Sequence, residues 1–253
     1  MSGQGPTYNI RMNLLAFELS TEACSVALWV DGDVRERHEI APRRHAELAL
    51  PWAEALLAEA GIARSQLDAI AVGRGPGAFT GVRLGVAIAQ GIALALDRPA
   101  VPVSTLAALA MRAVALGAGE GDCVLAAIDA RMSEVYVARY RLAAEHGALR
   151  PIPASDEQVL APDAVPLPGD GAAWFGVGTG FAALGGALRA RLPPGWRAVD
   201  AEALPHAADV VRLAHAALLR GEAVAPEKLE PAYLRNQVAL TLVQQQALRA
   251  SRS

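Results

Sequence analysis

Between Phe79 and Leu96 the chain carries a run in which Arg83 and Gln90 are the strongly polar residues. Such a run reads as a helix that is apolar nearly all round and has to be covered on most of its sides. Gly77, Gly81, Gly85, Ala89 and Ala93 recur every four residues, with Ala87, Gly91 and Ala95 on a flank. Glycine inside a helix costs about 1 kcal/mol relative to alanine, so keeping several of them marks a place where another backbone comes close. That backbone could belong to the protein's own sheet or to a second chain, and the stripe alone leaves both open. Just before the helix, Gly73-Arg74-Gly75-Pro76-Gly77-Ala78-Phe79-Thr80-Gly81 reads as a turn from a strand into a helix N-terminus, a setting that favours an anion. Its spacing is neither a dinucleotide fingerprint nor a P-loop, because no Gly-Lys-Ser/Thr follows.

The rest of the chain supplies strands and helices to cover that helix. Residues 14–20 read as a buried strand and 24–30 as its hairpin partner, and 34–40 as an edge-like third strand. Residues 46–60 follow a helical period, with Leu48, Trp52, Leu56 and Leu57 inward, Pro51 implying a kink or late start, and Gly61 the stop. Strands at 67–72 and 99–103 flank the apolar helix. A second unit begins with a helix over 105–116 capped by Ser104, then strands at 124–129 and 135–140 around a hairpin at 130–133. A proline-dense connection with a short helix is expected over 151–168, then a strand at 174–177 and helices over 181–191 and 207–220. Two hairpin-plus-helix units in tandem imply a duplicated α/β architecture, although no repeat is visible in the letters.

Composition excludes several functions. With 53% hydrophobic and 19% charged residues the chain is globular. Its net charge of -3 lacks the basic character of an autonomous nucleic-acid binder. Lys228 is the only lysine, which removes any P-loop or Schiff-base mechanism from the first two thirds. Cys24 and Cys123 sit in apolar runs and read as buried thiols rather than a disulfide. The N-terminal residues lack the apolar core of a signal peptide, and the 84–96 run is short for a membrane span. Of His38, His45, His146, His206 and His215, none forms a helical metal pair, since position 49, four after His45, is alanine. Glu18 and Asp129, each at a strand end, are the carboxylates that could meet an anion or metal across a cleft.

Three blocks together closely resemble the TsaB (YeaZ) family: Leu14 to Thr21, Gly75 to Gly85, and Ile128 to Tyr136. Pro231-Ala232-Tyr233-Leu234-Arg235 resembles that family's C-terminal motif. The resemblance implies tandem actin-like ATPase domains (the ASKHA, ribonuclease H-like fold). It implies a leader at 1–12, a first domain at 13–103 bearing the partner interface, a second at 104–222 and a C-terminal segment at 223–253. It also implies a non-catalytic partner subunit, without catalytic residues or metal of its own, for the threonylcarbamoyladenosine modification of tRNA beside the anticodon. The implied partners are TsaD and TsaE, with a homodimer when alone, tRNA reached only through the complex, no membrane, and a cytoplasmic location. No cofactor is expected to bind tightly, with ATP or ADP possible at the shared interface. Gly77, Gly81, Gly85, Ala89 and Ala93 become the candidate partner face. Glu18, Ser20, Gly75, Gly77, Asp129, Arg131 and Gly178 become candidates for a vestigial nucleotide or anion site. Glu18 departs from the family's usual aspartate. Two alternatives stand beside this reading: an active ATPase or kinase, favoured by the glycine turn and by Gly176 to Gly180, and the metallopeptidase label given to the superfamily, which the missing histidine pair opposes.

Overall fold

The structure, a computed structural model, describes residues 12–145, 147–168 and 172–235; most of the leader, His146 and the tail past Arg235 lie outside them. The first unit holds β1 (Asn13–Glu18), β2 (Ala23–Val30), β3 (Asp33–Ile40), α1 (His45–Ala60), β4 (Ala69–Gly73), α2 (Phe79–Leu96) and β5 (Ala100–Val103). The sheet order is β3-β2-β1-β4-β5, with β1, β2 and β3 antiparallel and β1, β4 and β5 parallel. Central strands have both faces covered, so β1 and β4 read as continuous apolar runs and are buried almost throughout. β3, rich in charge, lies on the edge. α1 starts at His45 and continues through Pro51, so the expected late start does not occur; Gly61 ends it at φ 69°.

The second unit repeats the plan. α3 (Thr105–Ala110) is capped by Ser104, whose Oγ accepts from Ala107 N at 3.1 Å, and tightens into a 3₁₀ turn over 111–116. Then come β6 (Cys123–Arg131), β7 (Glu134–Glu145), β8 (Ala148–Pro153), β9 (Gln158–Leu160), β10 (Trp174–Val177), α4 (Ala183–Ala190), β11 (Trp196–Asp200) and α5 (Ala207–Leu219). The order β8-β7-β6-β10-β11 again joins an antiparallel trio to two parallel strands. The duplication absent from the letters is therefore present in the topology, the tandem actin-like architecture.

Three local expectations are corrected. The stretch 151–168 holds the end of β8 and all of β9 rather than a helix; Pro151 and Pro153 are tolerated because β8 is an edge, and Pro162, Pro166 and Pro168 fall outside the strands. The helix expected over 181–191 is broken, with Leu184, Gly185 and Gly186 at φ 53°, 67° and 83°. β11 was not anticipated; three of its five residues are tryptophan, alanine and valine, but the strand is short and only half-buried.

The layers also revise the expected boundary at 104–222. α1 and α2 cover one face of the first sheet through Ala53, Leu56, Val86 and Ala89. Its other face is covered by α5, whose Ala207, Val210, Val211 and Ala214 pack on Leu14, Ala16, Ala71 and Val101. The chain thus returns from the second unit to complete the first, and Val224 and Leu229 stay there, the former bridging Ala100 and the latter buried in the core. By length and mean hydropathy of 1.6, α2 could cross a bilayer. One side of it, Val82, Gly85, Val86, Ala89 and Ala93, is instead buried against the protein's own sheet.

Candidate functional site

A cleft of about 950 Å³ opens between the units, lined by the β1–β2 turn, the start of α2, the β6–β7 hairpin, Thr179 and residues 232–235. Most sequence-predicted residues gather at or just behind its wall, but they do different things there.

Glu18 is only 1% exposed. Its Oε1 accepts from Ser20 N at 2.8 Å and from the Ser20 hydroxyl, and its Oε2 accepts from Thr105 Oγ1 at 3.1 Å. Burial pushes its carboxyl above the usual glutamate range, against the Ser20 and Thr105 hydrogen bonds, which favour the ionised form. Room for the carboxylate comes from Gly73, where a Cβ would lie 1.8 Å from Oε2. The side chain thus ties β1, β4 and α3 together and does not line the cleft.

The glycine turn makes a second tie. Gly75, at φ 96°, donates from N to Thr105 Oγ1 at 3.2 Å, and its carbonyl accepts from Thr105 N at 3.0 Å. Ala78 N donates to Ser20 O at 2.6 Å, and no side chain caps α2, so the positive end of its dipole faces the cleft.

The stripe candidates point inward. A Cβ on Gly77 would sit 2.4 Å from Ser20 O, one on Gly81 2.0 Å from Leu19 O, and one on Gly85 3.3 Å from Val72 Cγ2. Ala89 and Ala93 are buried in the same core. The close backbone that the small residues demand is therefore the chain's own exit from β1, and these five do not form a face open to a partner.

Asp129 does face the cleft. Its Oδ1 accepts from Arg131 N at 2.8 Å, its Oδ2 pairs with Arg131 Nη1 at 2.7 Å, and its N donates to Thr179 Oγ1 at 3.1 Å. Arg131, Met132 and Ser133 all take left-handed φ values of 61°, 52° and 64°, a turn that the Asp129 carboxylate holds through the Arg131 N–H. The Arg131 side chain is 84% exposed, so this pair can exchange for an incoming anion at little cost.

The second glycine run is a packing device. A Cβ on Gly178 would lie 2.2 Å from Ala127 O, and one on Gly176 2.7 Å from the Phe181 ring. These glycines let β10 and the following turn press on β6 and Phe181, which accounts for the run without a phosphate.

Sequence reasoning missed the role of the C-terminal motif. Tyr233 Oη accepts from Arg83 Nε at 2.7 Å, and the Arg83 guanidinium lies 3.6 Å from the Phe79 ring centroid. Arg235 pairs with Glu134 on the opposite unit. The available signal was that Arg83 and Gln90 alone interrupt an apolar helix.

A family model described as TsaD: tRNA N6-adenosine threonylcarbamoyltransferase matches residues 38–241. The chain is 42% identical to the tRNA threonylcarbamoyladenosine biosynthesis protein TsaB of Escherichia coli (strain K12), over 90% of this chain and 96% of that protein. The chain belongs to the TsaB (YeaZ) family. A TsaB of Haemophilus influenzae is 41% identical over 90% of this chain and 95% of its own length. The solved structure of YeaZ from Pseudomonas aeruginosa superposes with a TM-score of 0.79 at 48% identity, covering 88% of this chain and all of that one. The helical histidine pair that the metallopeptidase alternative needs does not fit the residues present. His45 Nε2 lies 3.0 Å from Thr21 O and 3.1 Å from Ala23 O, and position 49 offers a buried methyl group. Among the described residues no group of three or more His, Cys, Asp or Glu is placed to hold a metal.

Proposed function

We propose that this chain is the partner subunit for the threonylcarbamoyladenosine modification of tRNA next to the anticodon, pairing with a TsaD-type subunit and TsaE in the cytoplasm and forming a homodimer when alone. The near-full-length relation to proteins named for that biosynthesis is the observation that carries the reading. The geometry supports a supporting role over a catalytic one: Glu18 is consumed by the fold, His45 lies against two carbonyls, and Asp129, the carboxylate left at the cleft, is paired with Arg131.

The partner surface is the outward face of α2 rather than its small-residue stripe. Phe79 and Leu94 are 55% and 59% exposed, Ala87, Gly91 and Ala95 are exposed beside them, and Leu84 and Ile88 are half-buried. An apolar helix face of this kind is suited to burial against a second helix-bearing subunit. ATP or ADP belongs, in this reading, to the assembled interface, where the cleft and the start of α2 would meet its phosphates. tRNA reaches the chain only through the complex, in keeping with a net charge of -3.

The test is co-purification with a TsaD-type subunit and TsaE, followed by tRNA nucleoside analysis in a strain depleted of its own TsaB. Restored modification by this chain supports the reading. Absent restoration despite normal expression would overturn it, and stoichiometric ATP binding by the isolated chain would favour an ASKHA-type ATPase or kinase instead.

A further inference from the structure

The two polar residues of α2 serve one purpose. Gln90 Nε2 donates to Pro226 O at 3.1 Å and to Leu229 O at 2.9 Å, and Arg83 donates to Tyr233 Oη at 2.7 Å. The chain from Pro226 to Tyr233 therefore runs back along α2 toward the cleft, held by buried Leu229 and by Ala232 N donating to Arg74 O at 2.8 Å. It then leaves the first unit. Arg235 pairs with Glu134 and reaches Met132 Sδ at 3.2 Å and Ala130 O at 3.4 Å, all on the β6–β7 hairpin of the second unit.

Away from the cleft lining the two units are tied by other contacts. Ser104 donates to Glu157 and lies 3.4 Å from Tyr140 Oη, while Arg74 lies 3.5 Å from Glu157. The chain also passes between the units at the start of α3 and again between β11 and α5.

We propose that residues 231–235 are a strap that sets how far the two units open around the cleft. Its anchorages are Tyr233 on Arg83 and Phe79, and Arg235 on Glu134. They differ in exposure: Tyr233 is 49% exposed, whereas the Arg235 and Glu134 side chains are 18% and 35% exposed, so water and salt compete more readily for the Tyr233 contact than for the ion pair. Closure of two units around a cleft turns on a few loop or element-terminal residues, and the chain crosses between these units at such places. The strap stands apart from the tRNA reading, because it concerns the cleft's opening whatever occupies it.

The experiment is a distance measurement between spin labels at Glu47→Cys on α1 and Asp163→Cys in the second unit, both exposed sites. Native Cys24 and Cys123 are buried and stay unlabelled. The full chain should give one narrow distance distribution. Arg235→Glu and Tyr233→Ala should each broaden it toward longer distances with little change in Tm, and raised salt should do the same more weakly. Combining Glu134→Arg with Arg235→Glu should restore the narrow distribution, which a loss of general stability would not allow. Unchanged distributions in both single variants, or no recovery in the charge-swapped pair, would overturn the strap.

Discussion

Glu18 and Asp129 occupy related places in the two units, near the end of the first strand of each antiparallel hairpin, and their fates differ. Glu18 is sealed among Ser20, Thr105 and the bare backbone of Gly73. Asp129 stays at the cleft wall, paired with an exposed arginine. The longer side chain reaches back through the sheet end and becomes a structural tie, while the shorter one remains where a ligand could meet it. Duplication supplied two similar carboxylate positions, and packing decided which one the fold absorbed.

The largest effect should come from filling the space Glu18 occupies. Gly73→Ala places a methyl group 1.8 Å from Glu18 Oε2 and should cost about 3 kcal/mol or more, at the top of the overpacking range. Glu18→Asp in the same chain should recover part of that loss by withdrawing the carboxylate. Denaturant unfolding of the single and double variants checks both, and a neutral Gly73→Ala would break the comparison.

Next in size is Glu18→Ala, which leaves the Ser20 and Thr105 hydroxyls without their buried acceptor and should cost about 1–3 kcal/mol. The pH dependence sharpens the point. Because the folded pKa of Glu18 is raised above 4.5, the cost of burying its charge is absent below that value and grows as pH rises through the folded pKa. Stability of the native chain should therefore fall over that window relative to Glu18→Gln, which cannot ionise. Parallel Tm curves for the two proteins would contradict the raised pKa.

Asp129→Ala should be the mildest. It removes a solvent-screened pair and one turn hydrogen bond, a loss of about 1 kcal/mol or less. Thermal melts should separate Glu18→Ala from Asp129→Ala clearly, and equal losses would erase the distinction between tie and cleft residue.

What could be read from the sequence follows the same line between pattern and partner. β1, β4 and α2 were legible because continuous apolar runs and an all-round apolar helix leave few alternatives to a covered sheet. α5 was legible as a helix but not in its placement, since an apolar face states that it is covered and not by which sheet. The small-residue stripe was legible as a close approach, but nothing in the pattern said that Leu19 and Ser20, at the end of the strand read over 14–20, supply the approaching backbone. α4 was misread because the break signal of Gly185-Gly186 was passed over; Leu184, Gly185 and Gly186 all turn left-handed there, Leu184 against its side chain's preference. The strap was hidden for a related reason: Arg83 and Gln90 looked like interruptions until the end of the chain came back to meet them.

The central claim is that α2 shows a partner its outward apolar face and keeps its small-residue face for itself. Leu94→Glu, at a position 59% exposed, should leave Tm unchanged while weakening binding to a TsaD-type subunit at least tenfold, equivalent to about 1.4 kcal/mol, by titration calorimetry. Gly85→Leu, pressed against Val72, should instead lower Tm. The account is contradicted if Leu94→Glu binds its partner as tightly as the native chain while Gly85→Leu melts normally and fails to bind.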